Sequence, residues 1–199
     1  MVKPPGEKGA PPVQVLGRRV LGENRVWTVF LDHIVGASGA AIEDYLVVEP
    51  KGLRADGIGG VAILPIWDGQ IVMLKAYRHP VGRYTWELAR GFLDPGEDAA
   101  AAALREMEEE AGLTCDPADV RALGYLLPES STIAGKEAVF VALKCRPGGT
   151  VDTGEPGLGN RHRFSPDEVK GMLARYEIED ATAVAALYRY FALVGEAER

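Results

Sequence analysis

The sequence predicts an α/β fold in which a mixed β-sheet lies between helices, with a small antiparallel β unit in front of it. Three observations support this prediction: a strand-rich N-terminal region, a hairpin followed by an amphipathic helix, and a second set of strands followed by helices. The chain has 199 residues, of which 47% are apolar. This is enough for one domain of ordinary size and a small additional unit.

The N-terminal region changes composition after a short first segment. Residues 1–12 are rich in Pro, Gly and Lys, lack the apolar stretch of a signal peptide, and are predicted to form a flexible tail. Residues 13–35 and 40–50 carry strand-like runs separated by Gly-Glu-Asn and Gly-Ala-Ser-Gly turns. We therefore predict an N-terminal β unit over 13–57 and a main domain over 58–199.

The main domain begins with a predicted hairpin. Two apolar runs are joined across Asp68 and Gly69, a dipeptide that favours a tight turn between antiparallel strands. Further strands are predicted at 121–128, 137–145 and 161–164, and helices at 165–176 and 180–195. This order indicates a mixed sheet with helices on its faces.

Residues 91–113 combine a turn with an acidic helix. Asp94 is predicted as the N-cap and Pro95 as the first helical residue, while Gly112 suits the left-handed residue that ends a helix. Apolar residues recur at helical spacing along one face: Ala99, Ala103, Leu104, Met107 and Ala111.

Three acids lie on the opposite face of this helix. Glu106, Glu109 and Glu110 are neighbours at i, i+3 and i+4, where like charges repel by a few tenths of a kcal/mol per pair. A bound cation removes that repulsion, and carboxylate oxygens suit Mg²⁺ or Mn²⁺. A solvated acidic helix face is the alternative interpretation.

Charge and cysteine content restrict the classes of partner. A net charge of −7 argues against nonspecific binding to nucleic acid or to an anionic membrane. Cys115 and Cys145 have no C-x-x-C spacing, so neither a disulfide framework nor a zinc site is predicted. No run of residues reaches the roughly 18 apolar residues of a membrane span. These features predict a cytoplasmic protein.

The acidic segment also fits a known pattern, G-x5-E-x7-R-E-U-x-E-E-x-G-U with U apolar, and it resembles the Nudix box. Its fixed positions are filled by Gly91, Glu97, Arg105, Glu106, Glu109, Glu110 and Gly112. The resemblance implies the α/β/α sandwich of Nudix domains, a Mg²⁺ cofactor and cleavage of a diphosphate linkage. It also identifies residues 58–199 as the catalytic domain.

A wider resemblance, over roughly residues 40–195, is to the ADP-ribose and nucleoside-diphosphate-sugar pyrophosphatase branch of that family. Four features carry it: AYRHPVG at 76–82, WELARGF before the box, Pro128 fifteen residues after Leu113, and SPDEVKGML followed by IEDATAVAAL. In relatives of this branch the N-terminal strands pair two chains. The resemblance therefore implies a homodimer whose N-terminal unit completes the substrate pocket.

The resemblance assigns metal ligands to positions of this chain. It implies one to three Mg²⁺ ions held by the side chains of Glu106, Glu109 and Glu110 and by the backbone carbonyl of Arg90. Glu97 is expected to brace the loop through an ion pair with Arg105 and to be an outer metal contact only.

The general base is predicted to be Glu155, with Glu109 as the alternative. Three short segments depart from the family pattern, and one of them follows Pro128, where the corresponding acid is expected to be Glu137 after an insertion. Leu88-Ala89-Arg90-Gly91 stands where ADP-ribose hydrolases usually have Leu-Pro-Ala-Gly, and Glu155-Pro156-Gly157 retains one carboxylate where two are usual.

Substrate-binding residues are also implied by position. Arg78 stands where relatives contact a phosphate or ribose, a task that suits a planar guanidinium. Trp27 or Phe30 could stack on the base, although each is also a candidate core residue. Glu87, in WELARGF, and Glu137, which follows Pro128, are the acids expected to contact substrate.

The predicted function is Mg²⁺-dependent hydrolysis of a nucleotide sugar, with ADP-ribose cleaved to AMP and ribose 5-phosphate. GDP-mannose or another nucleotide sugar is the alternative substrate, and a dinucleotide polyphosphate is third. A binding module that senses a nucleotide without cleaving it is the rival class. The intact box favours the enzyme.

Overall fold

The computed structural model describes residues 11–149, 151 and 156–197. The chain forms two compact units. The first runs up to Lys51 and also includes Ser131–Ala134, and the second comprises Gly52–Ser130 and Gly135–Arg199. Residues 52–57, which were predicted to belong to the N-terminal unit, thus belong to the second unit. Most of the predicted tail, residues 1–10, lies outside the described residues.

Three strands form the sheet of the first unit within its described residues: β1 (Val13–Glu23), β2 (Trp27–Gly36) and β3 (Ala41–Pro50). They are antiparallel, in the order β1-β2-β3, as predicted. Asn24 closes the first turn, because its side-chain oxygen accepts hydrogen bonds from the Val26 and Trp27 amides at 2.9 and 2.7 Å. Ser131–Ala134 joins this unit through β3, since the Val48 amide donates to the Thr132 carbonyl at 2.8 Å.

Side chains of β1 are exposed along the whole strand. Val20 and Leu21 are 60% and 56% exposed, more than an apolar side chain in a core. The buried polar residue of this unit is Asp32, which accepts two hydrogen bonds from Arg18 at 2.7 Å each. The first unit therefore presents apolar strand surface to its surroundings.

The second unit contains nine strands within its described residues. They are β4 (Ile58–Trp67), β5 (Gln70–Arg78), β6 (Arg83–Glu87), β7 (Ala89–Phe92), β8 (Leu113–Thr114), β9 (Val120–Leu126), β10 (Lys136–Ala142), β11 (Arg146–Pro147) and β12 (Arg161–Phe164). The main sheet has the order β12-β5-β4-β10-β9, with β6 paired to β5 and β7 to β4. β10 runs parallel to β4 and the other pairs are antiparallel, so the predicted mixed sheet is confirmed.

The turn between β4 and β5 follows the predicted chemistry. Asp68 and Gly69 have φ angles of 50° and 73°, the left-handed conformation that a two-residue hairpin of type I′ requires.

Helices cover both faces of the main sheet: α1 (Ala99–Ala111), α2 (Pro166–Ala174) and α3 (Ala181–Ala197). One core lies between the sheet and α1 and includes Ala102, Ala103, Met107 and Ala111. The other lies under α2 and α3 and includes Val169, Leu173, Ala183 and Leu187. This is the predicted α/β/α sandwich. Within the described residues, no helix is both long and apolar enough to cross a bilayer.

The predicted start of α1 is wrong. Asp98, not Asp94, is the N-cap, and its carboxylate accepts from the Ala100 and Ala101 amides at 2.9 and 3.2 Å. Residues 94–97 form a separate turn, in which the Glu97 amide donates to the Asp94 carbonyl at 3.0 Å. The reason is Gly96, whose φ of 80° is incompatible with a helix. The predicted end is confirmed, since Gly112 has a φ of 58°.

Candidate active site

The acidic face of α1 lies against β7. Gly91 of β7 is so close to Glu106 that a β-carbon at this position would overlap the Glu106 carboxylate. Gly91 also pairs with Val61 of the central strand β4, so the backbone cannot easily move away. A side chain at this position would therefore displace Glu106.

One guanidinium holds three of the box carboxylates. Arg105 donates to Glu97 at 3.0 Å through Nε and through Nη2, and to Glu106 and Glu109 at 2.8 and 3.1 Å through Nη1. It also donates to the Phe92 carbonyl at 3.0 Å, which ties the helix to the end of β7. Glu97 in turn accepts from the Asp94 amide at 3.0 Å, as expected of a brace for the turn.

Two of the three acids that share Arg105, Glu106 and Glu97, have pKa values shifted in opposite directions. Burial raises the pKa of Glu106, and the negative charges of Glu109 and Glu97 raise it further, so that Arg105 does not compensate. The hydrogen bond from Arg105 lowers the pKa of Glu97, despite its partial burial. Of these two carboxylates, Glu106 would therefore gain more from an additional positive charge.

Glu110 is bound to β7. Its carboxylate accepts a hydrogen bond from the Arg90 amide at 2.9 Å, and the residue is 8% exposed. Arg90 itself pairs with Ala62 of β4. The predicted metal ligands on α1 and the Arg90 peptide are therefore adjacent.

The donor set fits a hard divalent cation. Glu106, Glu109 and Glu110 supply carboxylate oxygens within one helical turn, and Mg²⁺ and Mn²⁺ prefer such oxygens. Among the described residues, no three acidic, histidine or cysteine side chains already meet at one point as metal ligands would. Arg105 holds Glu106 and Glu109, and the Arg90 amide holds Glu110. The cluster therefore fits the cation by the chemistry and charge of its carboxylates, while Arg105 and the Arg90 amide hold these carboxylates at separate points.

Arg78 and Glu87, both predicted to bind substrate, contact each other. Arg78 donates to both oxygens of Glu87, at 2.9 Å through Nε and 2.7 Å through Nη2. The Thr85 hydroxyl donates a short hydrogen bond to the same carboxylate. Arg90 Nη2 adds a contact at 2.6 Å. Burial would raise the pKa of Glu87, but these donors outweigh it and the pKa is lowered.

Asp180, which was not predicted as a site residue, extends this network to α3. Asp180 accepts from Arg90 Nη1 at 3.1 Å and, through its other oxygen, from the Ala183 amide at 2.8 Å. An aspartate before an apolar helical run is a recognisable N-cap signal. Its pairing with a residue ninety positions earlier has no local signal.

Glu137 lies inside the second unit. It is 8% exposed on β10 and accepts a hydrogen bond from the Thr182 hydroxyl at 2.7 Å. Burial raises its pKa, and the charges of Asp180 and Glu87 act in the same direction. In this position Glu137 faces the first turn of α3, so contact with a substrate requires access to this interior site.

Two predicted site residues remain, Trp27 and Glu155. Trp27 is a half-buried residue at the start of β2, opposite Pro50 in the first unit. Glu155 lies outside the described residues. The residues that follow it, Pro156 and Gly157, line a surface depression with Arg78, and the Tyr77 amide donates to the Gly157 carbonyl at 2.8 Å.

Curated proteins match parts of this chain. An ADP-sugar pyrophosphatase of Mus musculus is 33% identical over 109 residues, which cover 49% of this chain and 50% of that protein. An ADP-ribose pyrophosphatase of Bacillus subtilis is 30% identical over 102 residues, which cover 51% of each. The chain thus spans about half the length of the curated relatives it matches.

The fold and the family are recognised over a larger part of the chain than these two alignments cover. A solved structure of an ADP compounds hydrolase superposes with a TM-score of 0.78 and 21% sequence identity, covering 96% of this chain and 98% of the other. That likeness supports the fold, including a strand-rich N-terminal region. The NUDIX domain matches residues 58–187, which contain the acidic helix, β7 and the whole ion-pair network. The chain therefore belongs to the Nudix family.

Proposed function

We propose that this protein hydrolyses the diphosphate bond of ADP-ribose, with Mg²⁺, to AMP and ribose 5-phosphate. The observation that carries the proposal is the acidic cluster of α1, where Glu106 and Glu109 share the Arg105 guanidinium with Glu97 of the preceding turn and Glu106 is left in a desolvated position. Choice of an ADP compound is supported by the names of the relatives, which are an ADP-sugar and an ADP-ribose pyrophosphatase.

Four groups of this chain would hold the cation: the carboxylates of Glu106, Glu109 and Glu110 and the carbonyl of Arg90. A bound Mg²⁺ would supply charge neutralisation at the diphosphate oxygens and would acidify a coordinated water. Arg105 keeps Glu106 and Glu109 on the same side of the helix. Glu97 braces the preceding turn through Arg105 and is proposed only as an outer contact.

Glu155 is the proposed general base, and Glu109 is the alternative. A general base typically supplies about 10² to 10⁴ in rate. Glu155→Gln should therefore lower kcat strongly, leave KM and Mg²⁺ affinity within a few fold, and flatten the acid limb of the pH profile. A loss of less than about fivefold would assign the base to Glu109 or to a water that needs no protein base.

Substrate contacts are proposed for Arg78, Glu87, Glu137 and Trp27. Arg78 is the best supported, because 31% of its side chain is exposed and it lines the depression beside Gly157. Glu87 would act by orienting Arg78, since its carboxylate is 2% exposed. Glu137 would need a channel to its buried position, and Trp27 would stack on the base.

A hydrolysis assay tests the function directly. The purified protein is incubated with ADP-ribose, GDP-mannose or a diadenosine polyphosphate, with Mg²⁺ or with EDTA, and products are separated by ion-exchange chromatography. We expect AMP and ribose 5-phosphate from ADP-ribose only when Mg²⁺ is present. Faster cleavage of GDP-mannose would select the alternative substrate. Binding of ADP-ribose without cleavage would identify a sensing module.

A homodimer is proposed as the working form of the enzyme. The exposed apolar side chains of β1, with Val20 and Leu21 among them, are the supporting observation. Light scattering of the intact chain should give twice the mass of one chain. Deleting residues 1–50 should lower solubility and raise KM. A truncated chain that stays monodisperse with unchanged kinetics would contradict the proposal.

A further inference from the structure

Arg90 connects three parts of the second unit. Its amide donates to Glu110 on α1 at 2.9 Å. Its guanidinium donates to Glu87 on β6 at 2.6 Å and to Asp180 at the start of α3 at 3.1 Å. The backbone of one residue thus holds a proposed metal ligand, while its side chain is fixed between two acids.

Asp180 is placed to immobilise this connection. Its side chain is 14% exposed. One oxygen caps α3 by accepting from the Ala183 amide, so the position of the carboxylate is fixed independently of Arg90. An acid that is anchored to a helix end loses little further freedom when it forms an ion pair.

The Arg90 peptide is also restrained by the sheet. β7 is a strand of four residues that is joined to β6 through Leu88 and pairs with β4 from Ala89 to Phe92. Its next residue, Gly91, has no side chain to pack and leaves room for Glu106. The two ion pairs of the guanidinium therefore add to the strand pairing that keeps this peptide in place.

We propose that Asp180 is a positioning residue for the active site. Through the Arg90 guanidinium it holds the β7 peptide, and the amide of that peptide orients the Glu110 carboxylate toward the acidic cluster. This inference rests on the proposed function, because Glu110 and the Arg90 carbonyl are metal ligands only in that proposal. Asp180 itself contacts neither cation nor substrate.

Asp180→Asn separates positioning from capping. Asparagine caps helices about as well as aspartate, so α3 should keep its first turn, while the charge that holds Arg90 is lost. Glu179→Gln is the matched control: it makes the same charge change at the adjacent residue, whose pair with Arg83 is exposed at the surface. Loss of this exposed ion pair should have little effect.

For Asp180→Asn we expect weaker Mg²⁺ binding and a lower kcat, with little change in KM. Changing a residue that orients a metal ligand typically costs about tenfold or more in metal affinity or activity. Asp180→Asn should weaken Mg²⁺ binding in calorimetry and lower kcat, each by about tenfold, with KM for ADP-ribose within about twofold. Glu179→Gln should match the wild type in all three. Equal behaviour of the two variants would overturn the proposal.

A double variant tests the route through Arg90. Once Arg90→Met has removed the guanidinium, Asp180→Asn should cause no further loss of Mg²⁺ affinity, whereas additive losses would overturn the proposal. Calorimetry with Mg²⁺ alone does not depend on which substrate is cleaved. If the wild type hydrolyses none of the nucleotides, the proposed function fails. The Mg²⁺ affinities of Asp180→Asn, Arg90→Met and the double variant still decide the role of Asp180.

Discussion

Glu87 and Glu106 are both largely buried glutamates on either side of the short strand β7, yet their surroundings differ. Glu87 receives two guanidinium groups, from Arg78 and Arg90, and the Thr85 hydroxyl. Glu106 shares a single guanidinium, because Arg105 also donates hydrogen bonds to Glu97 and Glu109. As a result the pKa of Glu87 is lowered and that of Glu106 is raised.

The contrast shows that burial alone does not decide what a carboxylate does. Desolvation is the largest influence at both positions, and it acts in the same direction. At Glu87, two guanidinium groups and a hydroxyl offset the desolvation. At Glu106, a share of one guanidinium does not offset it, and two neighbouring carboxylates add to it.

Neutralising Glu87 should have the largest effect on stability. Glu87→Gln leaves two partly buried guanidinium groups without their shared anion, and breaking such a pair costs about 3 kcal/mol or more. Chemical denaturation of the metal-free protein measures the loss. Glu179→Gln serves as the surface control. A change within about 0.5 kcal/mol would show that the network is not structural and would remove the basis of the comparison.

Neutralising Glu106 should instead affect catalysis. Glu106→Gln should lower kcat by on the order of 10², or about 3 kcal/mol, because a proposed metal ligand is lost. Metal-free stability should stay the same or rise, since a desolvated charge beside two like charges is removed and glutamine can still accept from Arg105. An unfolding midpoint well below that of the wild type, with activity retained, would show that Glu106 has a structural role and is not a metal ligand.

The opposite pKa shifts predict opposite effects of acid. Glu87 has a lowered pKa, so its stabilising contribution is complete above the ordinary value of about 4.3 and is lost as the pH falls through the folded-state pKa. Glu106 has a raised pKa, so its charge destabilises the fold as the pH rises above that value. With EDTA present, the stability difference between wild type and Glu87→Gln should narrow below about pH 4. A difference that stays constant with pH would contradict an electrostatic origin of the Glu87 contribution.

Glu97 should show the smallest effect and sharpens the comparison within the box. Glu97→Gln keeps an acceptor for the Asp94 amide but weakens the pair with Arg105, which should cost about 1 kcal/mol of stability. As a brace and outer contact, it should change kcat by only a few fold in steady-state assays. A loss of kcat as large as that for Glu106→Gln would make Glu97 a direct metal ligand.

Local sequence was sufficient for the elements that carry the acids. Helical periodicity places Glu106, Glu109 and Glu110 on one face, because residues three and four apart adjoin on any α-helix. Gly112 and the Asp68-Gly69 turn have the predicted left-handed backbone. The N-terminal strands, the mixed sheet and the layered architecture followed from runs of apolar residues. The start of α1 did not, because the conformation of Gly96 in a short turn is not determined by the residues beside it.

Apart from the expected pair of Glu97 with Arg105, only the tertiary structure decided which charges neutralise each other. The chain does not indicate that Arg90 meets Asp180, that Glu87 receives two arginines, or that Gly91 must leave room for Glu106. Nor does it reveal the strands β6 and β7, which are short and contain charged residues. Periodicity and turn conformation act over a few residues. Desolvation and ion pairing depend on which distant segments the fold brings within about 3 Å of each other.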